Sequence, residues 1–198
     1  MNELEELIKK YNPKININGR ICHHRINVLY SLTEKYNLEN YLEIGVHNGS
    51  SMAYVLQSNK NKNCIGIDPF ETFITDDPEM IHYQKNDKIT ERKTLTNIEN
   101  NNKYNSKIKL IKKLSKDIND TEIEHEIDLF FIDGDHSFNS VLNDYNKYFK
   151  FIKKGGYIVF DDLHQKGPNK AFNYVLKNDK NIKLFGIYKE TEGILVKL

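Results

Sequence analysis

The apolar positions of this chain fall into short runs separated by long polar connections. Leu4, Leu7 and Ile8 recur at helical spacing in the charged segment 1–10, and Asn12-Pro13 ends that run. Ile21, Arg25, Val28, Leu29 and Leu32 predict a second amphipathic helix over 21–36. From Tyr41 the texture changes. Segments 41–46, 63–68, 107–112, 127–133 and 156–160 read as strands, and 50–58, 137–153 and 170–177 as helices. Segments 182–188 and 193–197 read as a terminal pair around a turn at 189–192. Strands alternating with helices mean βαβ units. The expected fold is therefore α/β: a Rossmann-like, doubly wound, mainly parallel sheet with an antiparallel C-terminal hairpin at one edge. Residues 1–40 form a helical extension to a sheet domain over 41–198.

Composition changes little in that picture. The 198 residues suit one domain at about 150 residues each, with one decoration. Mean hydropathy is −0.66, which taken alone suggests disorder. The polarity belongs to the Asn- and Lys-rich connections, whereas the run Leu129-Phe-Phe-Ile132 is apolar enough only for a central strand. Lys and Arg number 29 against 28 Asp and Glu, a net +1, which argues against nucleic acid or an anionic membrane as the main partner. Two cysteines, Cys22 and Cys64, make no disulfide framework and point to a reducing, cytoplasmic setting. No stretch approaches the roughly 18 apolar residues of a membrane span. The N-terminus lacks the apolar core of a signal peptide.

Open α/β sheets bind ligands beyond the C-terminal ends of their strands. The residues after each strand therefore carry the functional signal. After the first comes Glu43-Ile-Gly45-Val-His-Asn-Gly49-Ser-Ser51, a strand-to-helix turn with free N–H groups. A dinucleotide fingerprint would need glycine where His47 and Ser50 stand, so the loop suits a ligand without a diphosphate. After the second comes Asp68-Pro69, nineteen residues past Gly49, the spacing of an acid that accepts ribose hydroxyls. The third is followed by Leu114-Ser115-Lys116-Asp117. The fourth and fifth deliver Asp133-Gly-Asp135-His136 and Asp161-Asp162-Leu-His164 to the same edge. Such carboxylates repel one another without a cation or raised pKa values, and their hard oxygens suit Mg²⁺ or a similar divalent ion. Turn and cap chemistry accounts for one or two of these acids, with Asp135 or Ser137 opening the next helix.

With these motifs, the chain resembles class I S-adenosylmethionine-dependent methyltransferases. It looks most like metal-dependent small-molecule O-methyltransferases of the macrolide-sugar branch. The likeness runs from Tyr41 to about His164, through Leu42-Glu-Ile-Gly-Val-His-Asn-Gly49, Gly66-Ile-Asp68-Pro69, Phe131-Ile-Asp-Gly-Asp-His136 and Gly155-Gly-Tyr-Ile-Val-Phe-Asp-Asp162. The resemblance implies a role for each matching residue. Glu43, Gly45 and Gly49 would form the loop at the methionine end of the cofactor, with Ser50 or Ser51 near its carboxylate. Asp68 would hold the ribose, Ser115 would lie by the adenine, and Asp135 would face the cofactor's amino group. Asp133, Asp161 and Asp162 would be the metal ligands, with Asp133 also counted among the cofactor-binding and catalytic residues, and His164 would be the general base, with His136 as competitor.

The implied activity is methyl transfer to a hydroxyl of a sugar or other small molecule, assisted by a divalent cation. Rival readings are a nicotinamide-dependent oxidoreductase and an inactive methyltransferase-fold binding module. Tyr11, Arg20, His23, His24 and Arg25 are candidate substrate contacts. The 1–40 extension is a candidate lid or homodimer contact, and the acidic loop 70–87 a candidate lid or source of a further ligand.

Overall fold

The computed structural model describes residues 3–10, 17, 23–58, 62–70 and 91–198. Its strands are β1 Asn40–Ile44, β2 Asn63–Ile67, β3 Lys107–Ile111, β4 Ile127–Ile132, β5 Ile152–Phe160, β6 Ile182–Tyr188 and β7 Glu192–Lys197. The α-helices are α1 Glu3–Lys10, α2 His23–Tyr36, α3 Ser50–Val55, α4 Glu91–Glu99, α5 Phe138–Tyr148 and α6 Lys166–Asn178. The strands form one sheet in the order β3-β2-β1-β4-β5-β7-β6. Strands β1 to β5 are parallel, and the antiparallel β6–β7 hairpin closes one edge, with β7 slotted against β5. This is the doubly wound fold that the sequence pattern predicts.

Alternation along each strand feeds two separate cores, because successive side chains point to opposite faces. Phe130, Ile132, Ile158, Phe160 and Leu195 pack with Val141, Tyr145, Ala171, Phe172 and Val175 of α5 and α6. Leu129, Phe131, Tyr157, Val159 and Ile194 pack with Leu7 and Ile8 of α1, Val28, Leu29 and Leu32 of α2, and Met52 and Val55 of α3. A strand buried on both faces needs apolar residues at every position, which is why β4 reads as an unbroken run. At its start, buried Asp128 accepts the Glu39 and Asn40 N–H groups at 3.0 and 2.8 Å. That acid pins β4 to β1 at the edge opposite the strand C-termini.

Several element bounds differ from the sequence expectation. The segment 137–153 is helical only to Tyr148. A 3-10 turn, Phe149–Phe151, follows, and β5 begins at Ile152 rather than 156. Lys153-Lys154-Gly155-Gly156 looks like a turn, yet Gly155 at φ 80 and a register shift on β4 let the strand pass through it. Helix α3 ends at Val55, where i→i−3 bonds from Gln57 and Ser58 tighten the last turn. Helix α6 starts four residues before the expected 170, with Pro168 in its first turn, where a missing N–H is harmless. Helix α4 has no counterpart in the sequence reading.

Candidate functional site

The parallel register carries the strand-end loops to one line. Asp68 N–H bonds the Ile111 carbonyl at 3.2 Å, Gly45 N–H that of Ile67 at 2.9 Å, Asp133 N–H that of Ile44 at 2.9 Å, and Asp161 N–H that of Ile132 at 3.1 Å. Each bond extends a ladder one residue beyond its strand, so the side chains that follow are neighbours. From β1 the chain winds outward to β2 and β3, then returns to β4 on the other side. The β1–β4 junction is thus the switch point, where open α/β sheets take their ligands.

The loop after β1 is held by side chains on both sides. Gly45 and Gly49 have φ of 87° and 80°, and His47 sits at φ 51° with its side chain exposed. Asp68 Oδ2 accepts the His47 N–H at 2.8 Å, and Oδ1 accepts the Phe70 N–H at 2.6 Å. A carboxylate offers about four acceptor positions, so two remain for a ligand's hydroxyls. From α4, Thr94 Oγ1 donates to the His47 carbonyl at 2.5 Å, and Asn97 Nδ2 to that of Asn48 at 2.9 Å. Helix α4 escapes an apolar-periodicity search because its buried face, Thr94, Asn97 and Ile98, is largely polar and serves this loop. Under the loop, Glu43 is fully buried, and its Oε1 accepts from Ser51 Oγ. Its Oε2 is buried, as is the Tyr41 hydroxyl beside Glu43. Burial pushes this carboxyl well above the usual range. The hydrogen bonds of Ser51 and Tyr41 oppose the shift, and the charges of Asp133 and Asp68 add to it.

Across the switch point, Asp133, His136 and Asp162 bring one ligand atom each within 4.8 Å of one another. His136 Nε2 lies 3.5 Å from Asp133 Oδ1 and 3.3 Å from Asp162 Oδ2. Gln165 sets its tautomer. The Gln165 amide nitrogen donates to Asp162 Oδ2 at 3.1 Å, so its carbonyl oxygen meets His136 Nδ1, also at 3.1 Å. Nδ1 therefore carries a proton, and the lone pair of a neutral His136 points from Nε2 at two carboxylates. That donor set calls for a positive charge, either a proton or a metal ion. Burial alone would lower the His136 pKa. The hydrogen bond and charge of Asp133 and the charge of Asp162 outweigh it and hold the imidazole above its ordinary value.

Asp162 reaches this position through a left-handed backbone, φ 53°, at a cost of about 1–2 kcal/mol. Asp161 is buried, accepts the Asp162 N–H through Oδ1 at 2.7 Å, and does not join the three. His164 stands at the rim, 51% exposed, with Nδ1 3.6 Å from Asp162 Oδ1.

Comparison with known proteins identifies the family. A family profile described as a methyltransferase domain matches residues 42–163. The chain belongs to that methyltransferase-domain family. Its fold is that of class I, S-adenosylmethionine-dependent methyltransferases. An uncharacterized protein of Acanthamoeba polyphaga mimivirus is 37% identical over 156 residues, covering 75% of this chain and 63% of that protein. The chain thus spans less than two thirds of that relative's length. The structure of the O-methyltransferase NovP superposes with a TM-score of 0.73 at 16% identity, covering 91% of this chain and 83% of that one. The O-methyltransferase from Bacillus cereus, in complex with SAH, gives 0.63 at 16% identity, covering 98% and 90%.

Within this methyltransferase-domain fold the remaining predicted residues distribute as follows. Ser50 lies in the loop, its N–H bonded to Asn48 Oδ1 at 3.2 Å. Asp135 Oδ1 accepts the Ser137 N–H at 2.7 Å, and Ser137 caps α5. Ser115 is half-buried beyond β3. Tyr11, Arg20, Cys22 and loop residues 71–87 lie outside the described residues, as do the side chains of His23, His24 and Arg25. The sequence reading missed Gln165, Thr94, Asn97 and Asp144. No helix among the described residues is long and apolar enough to cross a membrane.

Asp144, 5% exposed on α5, carries a stability prediction. Burial pushes its carboxyl up from 3.8 to about 6. The Ser115 hydrogen bond opposes this, Asp135 adds to it, and Lys147 opposes it. The folded state therefore binds this proton more tightly than the unfolded chain. The destabilisation is absent below about pH 4, grows to about pH 6 and is constant above, on the order of 3 kcal/mol. Asp144→Asn should raise the melting temperature at pH 8, and the gain should vanish at pH 4 in a thermal-unfolding series.

Proposed function

We propose that the chain is an S-adenosylmethionine-dependent O-methyltransferase acting on a hydroxyl of a sugar or another small molecule. The observation that carries this reading is the His136 imidazole oriented between Asp133 and Asp162 at the switch point, next to the Gly45–Ser51 loop. The naming of both structural neighbours as O-methyltransferases supports the hydroxyl acceptor.

Glu43, Gly45, Gly49, Ser50 and Ser51 would hold the methionine end of the cofactor. Asp68 would take the ribose hydroxyls, Ser115 the adenine and Asp135 the amino group. Asp133 and Asp162 would hold a divalent cation such as Mg²⁺, with Asp161 beside them as a further acid. When bound, the cofactor supplies an electrophilic methyl group on a sulfonium, and the cation lowers the pKa of the acceptor hydroxyl.

The protein's own residues then position the acceptor oxygen behind that methyl group and receive its proton. The geometry favours His136 over His164 as the base. Gln165 orients its ring, and Nε2 carries the lone pair at the cluster where the acceptor oxygen would be held. His164 has only the 3.6 Å approach to Asp162 and is half in solvent. The near-neutral charge supports a small-molecule partner rather than nucleic acid. The free, buried Cys64 supports a reducing, cytoplasmic setting. The 1–40 extension would cover the acceptor side or form a homodimer contact.

Calorimetry with S-adenosylhomocysteine tests the foundation, and the absence of any binding would overturn it. Full activity in excess EDTA would remove the cation from the mechanism. His136→Ala should slow turnover about 10²- to 10⁴-fold, with His164→Ala much milder. The reverse order would move the base to His164.

A further inference from the structure

Helix α4 buries a polar face that the chemistry above does not use. Thr94, Asn97 and Asn101 are 0%, 1% and 3% exposed, and burying such side chains is unfavourable unless they are paired. The helix meets three consecutive residues of the loop after β1. Thr94 Oγ1 donates to the His47 carbonyl at 2.5 Å, and Asn97 Nδ2 to the Asn48 carbonyl at 2.9 Å. Gly49 touches the helix directly: a Cβ there would stand 2.6 Å from Ile98 Cγ1 and 3.3 Å from Thr94 Cγ2. Past its last turn the helix is anchored in turn. Asn101 Nδ2 donates to the Asn97 carbonyl at 2.8 Å, and Gln57 Nε2, just beyond α3, to the Asn101 carbonyl at 2.9 Å. The loop, α3 and α4 therefore close a ring.

His47 is the strained point of that ring. Its φ of 51° is one that a residue with a Cβ keeps only where its surroundings over-determine it. Two side chains do so. Asp68 Oδ2 accepts its N–H at 2.8 Å, and Thr94 holds its carbonyl. Removing the Thr94 hydroxyl leaves one of the two holds.

We propose that Thr94 and Asn97 are positioning residues for cofactor binding, holding the Gly45–Ser51 loop in its binding-competent shape before the ligand arrives. The inference rests on the methyltransferase reading of that loop, and it gives neither side chain a contact with the ligand. A clamp of this kind acts on association. Its loss lowers the fraction of molecules whose loop is ready, and the apparent affinity falls by that fraction. Contacts in the bound complex are unchanged, so the dissociation rate stays the same.

The test is binding of S-adenosylhomocysteine to the full chain, with rates from surface plasmon resonance and affinity from calorimetry. Wild type, Thr94→Val, Thr94→Ser and Asn97→Leu are compared at a temperature where each is folded. Valine matches threonine in shape and removes the hydroxyl, whereas serine keeps it. Thr94→Val and Asn97→Leu should each weaken binding about tenfold through slower association, with dissociation within about twofold of wild type. Thr94→Ser should keep the wild-type association rate. Ser106→Ala is the stability control. It removes the acceptor of the Lys62 N–H, a buried 2.9 Å bond at the opposite edge of the sheet, and should lower the melting temperature without changing either rate. A role in folding alone would make Thr94→Val behave like Ser106→Ala, and that result overturns the proposal. Faster dissociation of Thr94→Val with unchanged association overturns it too, because Thr94 would then act on the bound complex. The isosteric Thr94→Val keeps the test decisive where Asn97→Leu does not fold. Wild type that does not bind S-adenosylhomocysteine overturns the methyltransferase reading and this proposal with it.

Discussion

Replacing Asp133 with asparagine should lower turnover about 10³-fold while leaving S-adenosylhomocysteine affinity within about threefold. Asparagine keeps the shape of the side chain and removes its charge. Asp133 faces His136 Nε2 rather than the Gly45–Ser51 loop, so cofactor binding has little to lose. The chemistry of the proposed mechanism loses a hard anionic group that would hold a cation or, with a proton in its place, the stronger of the two influences that raise His136. Asp133 heads the influences that raise His136 against the lowering effect of burial, so its removal lowers that pKa. The residual activity of Asp133→Asn should therefore have its acid limb at lower pH than wild type. Stability should respond in the same sense. A histidine raised by its partners contributes stability below its ordinary value and loses it as pH rises through the folded value. The variant should thus be most destabilised relative to wild type under mildly acidic conditions. Thermal unfolding at pH 5.5 and 8 reads this directly. An unchanged rate in Asp133→Asn would exclude the cluster from the reaction.

Much of this site was legible because parallel strands obey a strict rule. Whatever follows an apolar run in a βαβ sheet lands on one edge, so Glu43, Asp68, Asp133, Asp161 and Asp162 could be grouped without knowing a single contact. What the rule does not supply is direction. Asp161 and Asp162 are equivalent in sequence, but the left-handed turn at Asp162 sends it to Asp133 and His136, while Asp161 is taken up by the Asp162 N–H. Gln165 was invisible for a related reason: its function is to join Asp162, three residues before it, to His136, 29 residues away, and glutamine before a helix carries no such signal. Helix α4 was lost because its buried face is chosen for hydrogen bonding to backbone carbonyls at His47 and Asn48, not for hydrophobicity. Asp144 lies on the buried stripe of α5, three residues after Val141 and four before Tyr148, where a lone acid among apolar residues reads as a helix-face exception. Its charge hid that placement, and the packing of α5 under Gly134 shows it.

The junction of β1 and β4 is tight enough for a single methyl group to test it. Gly45 has φ 87°, and a Cβ there would lie 1.9 Å from the Asp133 carbonyl oxygen and 2.9 Å from Gly134 Cα. Both obstacles are backbone, so no rotamer change relieves them. Gly45→Ala must pay the left-handed penalty of about 1–2 kcal/mol and also push the β1 and β4 ends apart, adding about 1–3 kcal/mol. Against a typical domain stability of about 5–15 kcal/mol, that is a large fraction. Gly155 provides the control. Its φ is 80°, nearly the same, yet a Cβ there meets nothing within 4 Å. Gly155→Ala therefore isolates backbone strain, and the further fall in melting temperature for Gly45→Ala measures the collision. The two variants should also separate in function. Gly155 lies near the start of β5, away from the strand C-termini, so Gly155→Ala should retain catalysis in whatever fraction stays folded. In Gly45→Ala the displaced Asp133 carbonyl carries its carboxylate away from His136, so activity per folded molecule should fall as well. Equal melting temperatures for the two variants would mean that the strand ends yield freely at this contact. The separation between the Gly45–Ser51 loop and the Asp133 cluster would then not be rigidly set.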